Sequence, residues 1–149
     1  MAKFNFRLQG FLGIKEKIED QRKLEYSQAL RRLEEEKQKK IRLLAQRDEQ
    51  IMCFRISLQN VIKPPETRRY NDTIELLKYK ITEQDKRINA AEIFAETKRV
   101  ALIEAMKERK ILESVKNRKH EEYVRAEILA DQKRIDEIIS YQYTGRDEN

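Results

Sequence analysis

The sequence predicts an all-α fold: a long antiparallel two-helix coiled coil, or helical hairpin, with a C-terminal helical overhang. Three observations carry that expectation. Charged residues make up 40% of the 149 positions and apolar residues 39%, more charged and less apolar than an ordinary globular domain. Turn makers are scarce, with three Gly and two Pro, so the stretches Ile14 to Lys63 and Glu66 to Thr144 contain neither. Apolar residues in the second half also recur with a period of 3.5, the spacing of a coiled-coil seam. A β-sandwich or a doubly wound α/β enzyme of this length needs many more turns and is excluded. Disorder is disfavoured because Leu, Ile, Val and Phe form about a quarter of the chain, above the roughly one-fifth at which charged sequences cease to fold.

The first helix is expected over about residues 6–62. Its best register puts Leu30, Leu44, Ile51 and Leu58 at a, with Leu12, Tyr26, Leu33, Phe54 and Val61 at d. Lys23, Lys37, Lys40 and Arg47 interrupt that seam. Pro64 and Pro65 are the strongest punctuation, because proline lacks the amide donor and clashes with the preceding helical turn. A turn is therefore expected over about 63–70, with Asn71 and Asp72 offering side-chain acceptors for a restart. The second helix follows over about 71–142 and a flexible tail over 143–149, all within one elongated domain spanning 1–149.

Helix two has the clearer heptad. Its a positions run Ile74, Ile81, Ile88, Ala95, Leu102, Arg109, Lys116, Tyr123 and Ala130. Its d positions run Leu77, Gln84, Ala91, Lys98, Ala105, Leu112, Lys119, Ala126 and Lys133. Twelve of these eighteen are apolar or Tyr, well above the chain average. A turn of a few residues makes neighbouring helices antiparallel. Folding about the prolines brings Leu58 opposite about Asn71, Ile51 opposite Leu77–Lys78 and Leu30 opposite about Arg99. The longer second helix then overhangs by about 15 to 20 residues at 1.5 Å each, giving a rod with one closed and one open end. A second stripe (Ile93, Val100, Ile103, Met106, Ile111, Val115) lies beside the seam, and Val124, Ile128, Ile135, Ile138 and Ile139 continue beyond it. These residues are core if the helix rotates in the seam, or an unfinished surface awaiting a partner.

Two helices offer no cleft in which polar groups converge, so no enzyme is expected. The single histidine, His120, sits in the charged run Lys116 to Glu122 and lacks a metal-ligand companion. Lone Cys53 can form neither an intramolecular disulfide nor a cysteine metal site. Gly-rich phosphate loops are absent, and no cofactor or metal is expected. No run of 18 apolar residues exists to span a membrane, and the start lacks the apolar run of a signal peptide. These features together predict a reducing cytosol.

The net charge is +6 with a pI near 9.4. Residues 1–62 hold fourteen basic against nine acidic residues, and the rest hold nineteen against eighteen. That mild excess is not the concentrated basic face of a nucleic-acid binder, so no nucleic-acid partner is expected. From composition and periodicity, the reading stops at a coiled coil that binds proteins.

Two stretches go further. Near the end, Arg109-Lys110-Ile111-Leu112-Glu113 leads through Lys116-Asn117-Arg118-Lys119 to Glu121-Glu122-Tyr123. Ala130-Asp131-Gln132-Lys133-Arg134-Ile135-Asp136-Glu137 then follows. The opening reads Phe4-x-Phe6-Arg7-Leu8-x-x-x-Leu12, then Lys15-Glu16-Lys17-Ile18-Glu19-Asp20. Both stretches resemble the FliJ family, the stalk protein of the bacterial flagellar type III export apparatus, over the whole chain.

The resemblance implies an antiparallel coiled coil similar to the γ stalk of rotary ATP synthases. It implies insertion of the open end into the ring of the export ATPase, promoting ring assembly and activity. Contact with the cytoplasmic domain of the export-gate membrane protein, and handling of export chaperones, come with it. So does a place on the cytoplasmic side of the membrane at the flagellar base. The ring-facing candidates it implies are Lys15, Ile18, Arg22 and Lys23 on helix one, with Arg125, Gln132, Lys133, Arg134 and Asp136 on helix two. The gate-facing candidates are Phe54, Ile74, Leu77 and Ile81, which also occupy seam positions. A coiled-coil adaptor or export chaperone unrelated to flagella is the alternative.

Overall fold

The computed structural model describes residues 3–146. It contains two helices, α1 (Gln9–Gln59) and α2 (Pro64–Thr144), and no strand among the described residues. The fold is a helical hairpin, as the sequence predicts. Its contacts divide into two compact units. One holds residues 20–103, including the turn; the other holds residues 1–19 and 104–149.

The turn is the first departure from the sequence reading. Residues 60–63 alone separate the helices, and α2 starts at Pro64, ahead of the expected window. The first amides of a helix have no intrahelical acceptor, so proline loses nothing there, and its fixed φ already suits the helix. The carbonyl of Lys63 accepts the amides of Glu66 and Thr67, each at 3.1 Å, and the Thr67 hydroxyl at 3.3 Å. Glu66 places a negative charge in the first turn, where the helix dipole favours it. Asn71 and Asp72 lie inside the helix and cap nothing.

An earlier start moves the pairing register. In the unit of residues 20–103, Phe54 meets Tyr70, Lys40 meets Asp85, Glu36 meets Gln84 and Glu25 meets Lys98. Facing residue numbers add to between 120 and 125. A turn centred on the prolines would have made that total about 129.

The predicted heptad of α2 is the buried row of this unit: Ile74, Leu77, Ile81, Gln84, Ile88, Ala91 and Ala95. Opposite it, α1 turns Tyr26, Ala29, Leu33, Glu36, Lys40 and Leu43 inward, then Arg47, Gln50, Phe54 and Ser57. Of the d set of α1 in this unit, Tyr26, Leu33 and Phe54 face the seam and Val61 does not; Ala29 replaces Leu30 in the seam, and Leu30 and Leu58 are exposed. Buried alanines on both helices permit a close approach there that a leucine would prevent. The remaining apolar stripe does not enter the core: Ile93 is 70% exposed, Val100 is exposed and Ile103 half-buried.

In the other unit, Phe6, Leu12 and Ala105 are buried. Residues 3–6 are non-helical, with a turn at 7–8, so α1 begins after the predicted residue 6. Burial alternates along this stretch, with Phe4, Phe6 and Leu8 covered and Lys3, Asn5 and Arg7 exposed, a period of two that a helix does not give. The Phe6 carbonyl accepts the Gln9 amide at 3.1 Å, and the Leu8 carbonyl accepts that of Leu12 at 3.0 Å. Every described residue of α2 from 128 onward is exposed, as is the turn at 145–146, which forms the predicted overhang. The stripe of Ile128, Ile135, Ile138 and Ile139 therefore lies on the surface. Of the expected tail, 143–144 are helical, 145–146 form a turn, and 147–149 lie outside the described residues.

These burials set a mutational contrast. Ile81→Ala removes a buried seam side chain and lowers stability by about 2–4 kcal/mol, whereas Ile93→Ala changes it by less than about 0.5 kcal/mol. Urea unfolding followed by circular dichroism measures both. Equal effects would contradict the assignment of the seam.

Candidate functional site

The surfaces available to a partner follow from what the seam consumes. In the unit containing the turn, the α1 side of the seam is largely ionic. Glu25 accepts from Arg22 at 3.0 Å on its own helix and from Lys98 at 3.3 Å across the seam. Those contacts, Arg22 first, hold the Glu25 carboxyl below its ordinary range. Glu36 pairs with Lys39 at 2.9 Å, and its backbone carbonyl accepts the Gln84 amide at 2.9 Å. The Lys39 and Gln84 side-chain hydrogen bonds likewise lower the Glu36 pKa. Lys40 reaches Asp85 at 2.7 Å. Gln84, a polar residue in the predicted heptad, is buried yet satisfied.

The unit of residues 1–19 and 104–149 repeats the design. Lys15 donates to Glu108 at 2.7 Å. Arg109 binds both Glu113, at 2.7 Å, and Glu19, a residue only 4% exposed. The Glu113 contact first, then Glu19, raises the Arg109 pKa further. Arg109, a charged residue at an a position of the heptad, is the cation that the buried glutamate needs.

These contacts sort the residues that the resemblance singled out. Lys15 is half-buried and spoken for by Glu108, and Ile18 is half-buried beside it. Arg22 and Lys23 fall in the other compact unit, where Arg22 is engaged by Glu25 and Lys23 is exposed. Arg125, Gln132, Lys133, Arg134 and Asp136 are all exposed along α2, with Arg134 near Asp131 at 3.6 Å. Gln132, Lys133, Arg134 and Asp136 share the uncovered segment from residue 128 onward, and Arg125 lies just ahead of it.

Phe54, Ile74, Leu77 and Ile81 take the seam role instead. The three aliphatic residues are buried, and Phe54 is half-buried with its ring 5.8 Å from that of Tyr70. What remains exposed near the turn is a different apolar set: Met52, Ile56, Val61, Ile62, Leu76 and Tyr79. Val61, expected at a d position, is 83% exposed because the turn has already begun. Seam periodicity could not flag Met52, Ile56, Ile62, Leu76 and Tyr79, since they lie off the seam.

Sequence reasoning also missed the role of His120. Its ring meets Phe4 edge-on at 5.1 Å, and Tyr123 flanks the same Phe4 at 5.5 Å. The paired Phe4-x-Phe6 was the available signal, since two aromatic residues ahead of a helix need something to cover. Among the described residues no group of His, Cys, Asp and Glu could hold a metal ion. No helix there is long and apolar enough to cross a membrane.

One family model, FliJ, described as Flagellar FliJ protein, matches residues 4–148. No curated protein and no solved structure matches the chain.

The lowered carboxylates give the hairpin a pH dependence. A carboxyl held low in the folded chain adds stability above its unfolded pKa and withdraws it as pH falls through the folded value. The thermal midpoint should stay level from about pH 8 to about pH 5 and fall below about pH 4.5. Glu25→Gln should make the fall shallower. A midpoint unchanged down to about pH 3 would contradict these ionic contacts.

Proposed function

The chain belongs to the FliJ family, and from that premise we propose that it is a non-enzymatic, stalk-like component of flagellar type III export. The family gives it a role related to flagellar export. In the proposal, the C-terminal part of α2 enters the ring of the export ATPase and promotes its assembly and activity. The turn region meets the cytoplasmic domain of the export-gate membrane protein, on the cytoplasmic face of the membrane. Export chaperones are further partners.

The observation that carries this reading is the uncovered helix from residue 128 onward. An isolated helix has little tertiary reason to persist. This one presents Ile128, Ile135, Ile138 and Ile139 together with Lys133 and Arg134, with Arg125 exposed just ahead of it. Apolar anchors with cations beside them suit a partner wall that is part apolar and part acidic. Lys15, Ile18, Arg22 and Lys23 remain secondary candidates, because two of them already hold ion pairs. For the gate, Met52, Ile56, Leu76 and Tyr79 are better placed than Ile74, Leu77 and Ile81, whose burial keeps them for the hairpin.

ATP turnover by the export ATPase, with and without this protein, tests the ring reading. The full chain should stimulate turnover and co-sediment with the ring. A variant ending after Ala126 should remain helical and lose both effects. Lys133→Glu with Arg134→Glu should weaken the apparent affinity about tenfold, as expected for two reversed rim charges. No stimulation and no co-sedimentation by the full chain would overturn the ring reading. Retained capture of an export chaperone in that case would favour the adaptor reading.

A further inference from the structure

The non-helical residues 3–6 line one side of an open cavity of about 720 Å³. That size falls within the roughly 300–1,000 Å³ of sites that hold a ligand or a side-chain anchor. Its interior is apolar and mainly aromatic: Phe4, Phe6, Phe11, Val115 and Tyr123. Cations Lys3, Arg7 and Lys119 also line it, and no carboxylate does. Lys119 reaches Glu122 at 3.1 Å, so Lys3 and Arg7 carry the charge argument.

We propose that this cavity is a docking site for an acidic segment of a partner protein that inserts an aromatic or leucine side chain. The shape selects a protein anchor over a bilayer. Membrane docking projects apolar side chains outward, whereas here Phe6 is recessed at 7% exposure and only Phe11 stands at the mouth. An inserted ring meets aromatic faces and edges in the arrangement that Phe4 already makes with His120. Acidic residues flanking the anchor meet Lys3 and Arg7, which steers the encounter and rejects basic segments. None of the lining residues is among those assigned to the ATPase ring, so the two proposals fail separately.

The test uses the full chain and two fluorescent peptides, each with a Phe-Leu anchor, one flanked by glutamates and one by lysines. Anisotropy should report binding of the acidic peptide only. Lys3→Glu with Arg7→Glu should weaken that binding about tenfold. Val115→Trp, which fills the cavity from α2, should weaken it to a similar degree with the helical dichroism unchanged. Equal binding of both peptides, or binding of neither, would overturn the proposal. So would undiminished binding in both variants, or tighter binding to anionic phospholipid vesicles than to the acidic peptide.

Discussion

Two helices in contact form a layer one seam thick, and every other property of this chain depends on how that seam is filled. The α2 side supplies aliphatic residues at nearly every inward position from Ile74 to Ala95. The α1 side cannot match it: Glu36, Lys40, Arg47 and Gln50 stand where a coiled coil would place leucine. A seam this thin leaves its side chains close to solvent, so each ion pair adds little to stability. Their larger effect is on register. Sliding one helix along the other would separate Glu36 from Gln84, Lys40 from Asp85 and Glu25 from Lys98, stranding part-buried charges. Apolar contacts make the helices associate; the polar contacts decide where.

The same thinness explains why so much apolar surface stays outside. A helix pair buries one stripe on each partner, and α2 carries apolar residues on more than one face. Ile93 and Val100 in one unit, and Ile111 and Ile135 in the other, are therefore exposed rather than misplaced. The family works in flagellar export, and in the proposed role these surfaces take the place of a cleft. The ionic seam leaves Arg125, Lys133 and Arg134 outside its cross-helix contacts, whereas Lys15 is occupied by Glu108. The aromatic cavity arises from a separate cause, the non-helical Phe4–Phe6 stretch laid against α2.

Much of this was legible in the sequence. The heptad of α2 names its buried row residue by residue, including Gln84, because periodicity reports burial directly. The scarcity of glycine and proline gave the two-helix plan. Three things were not legible, each for a physical reason. Proline both stops helices and starts them, and only the Lys63 carbonyl contacts show which role Pro64 plays. The α1 register hid because Ala29 is less hydrophobic than Leu30, yet its size is what the close approach needs. Phe54, Ile74, Leu77 and Ile81 fit two readings at once, seam and docking face, because periodicity marks apolar positions without saying what covers them; in the hairpin the three aliphatic residues are buried and Phe54 is half-buried.

The central claim is that the seam contacts, with the turn at 60–63, set the pairing register. Cysteine pairs read that register directly, because a disulfide forms only when the two α-carbons come within about 7 Å. In a Cys53→Ser background, Ala29→Cys with Ala95→Cys joins two buried seam positions whose numbers fit the observed register. Ala29→Cys with Val100→Cys fits the register of a turn centred on the prolines. Mild oxidation should cross-link the first pair within one chain and leave the second reduced. Cross-linking of the second pair in preference to the first would contradict the account.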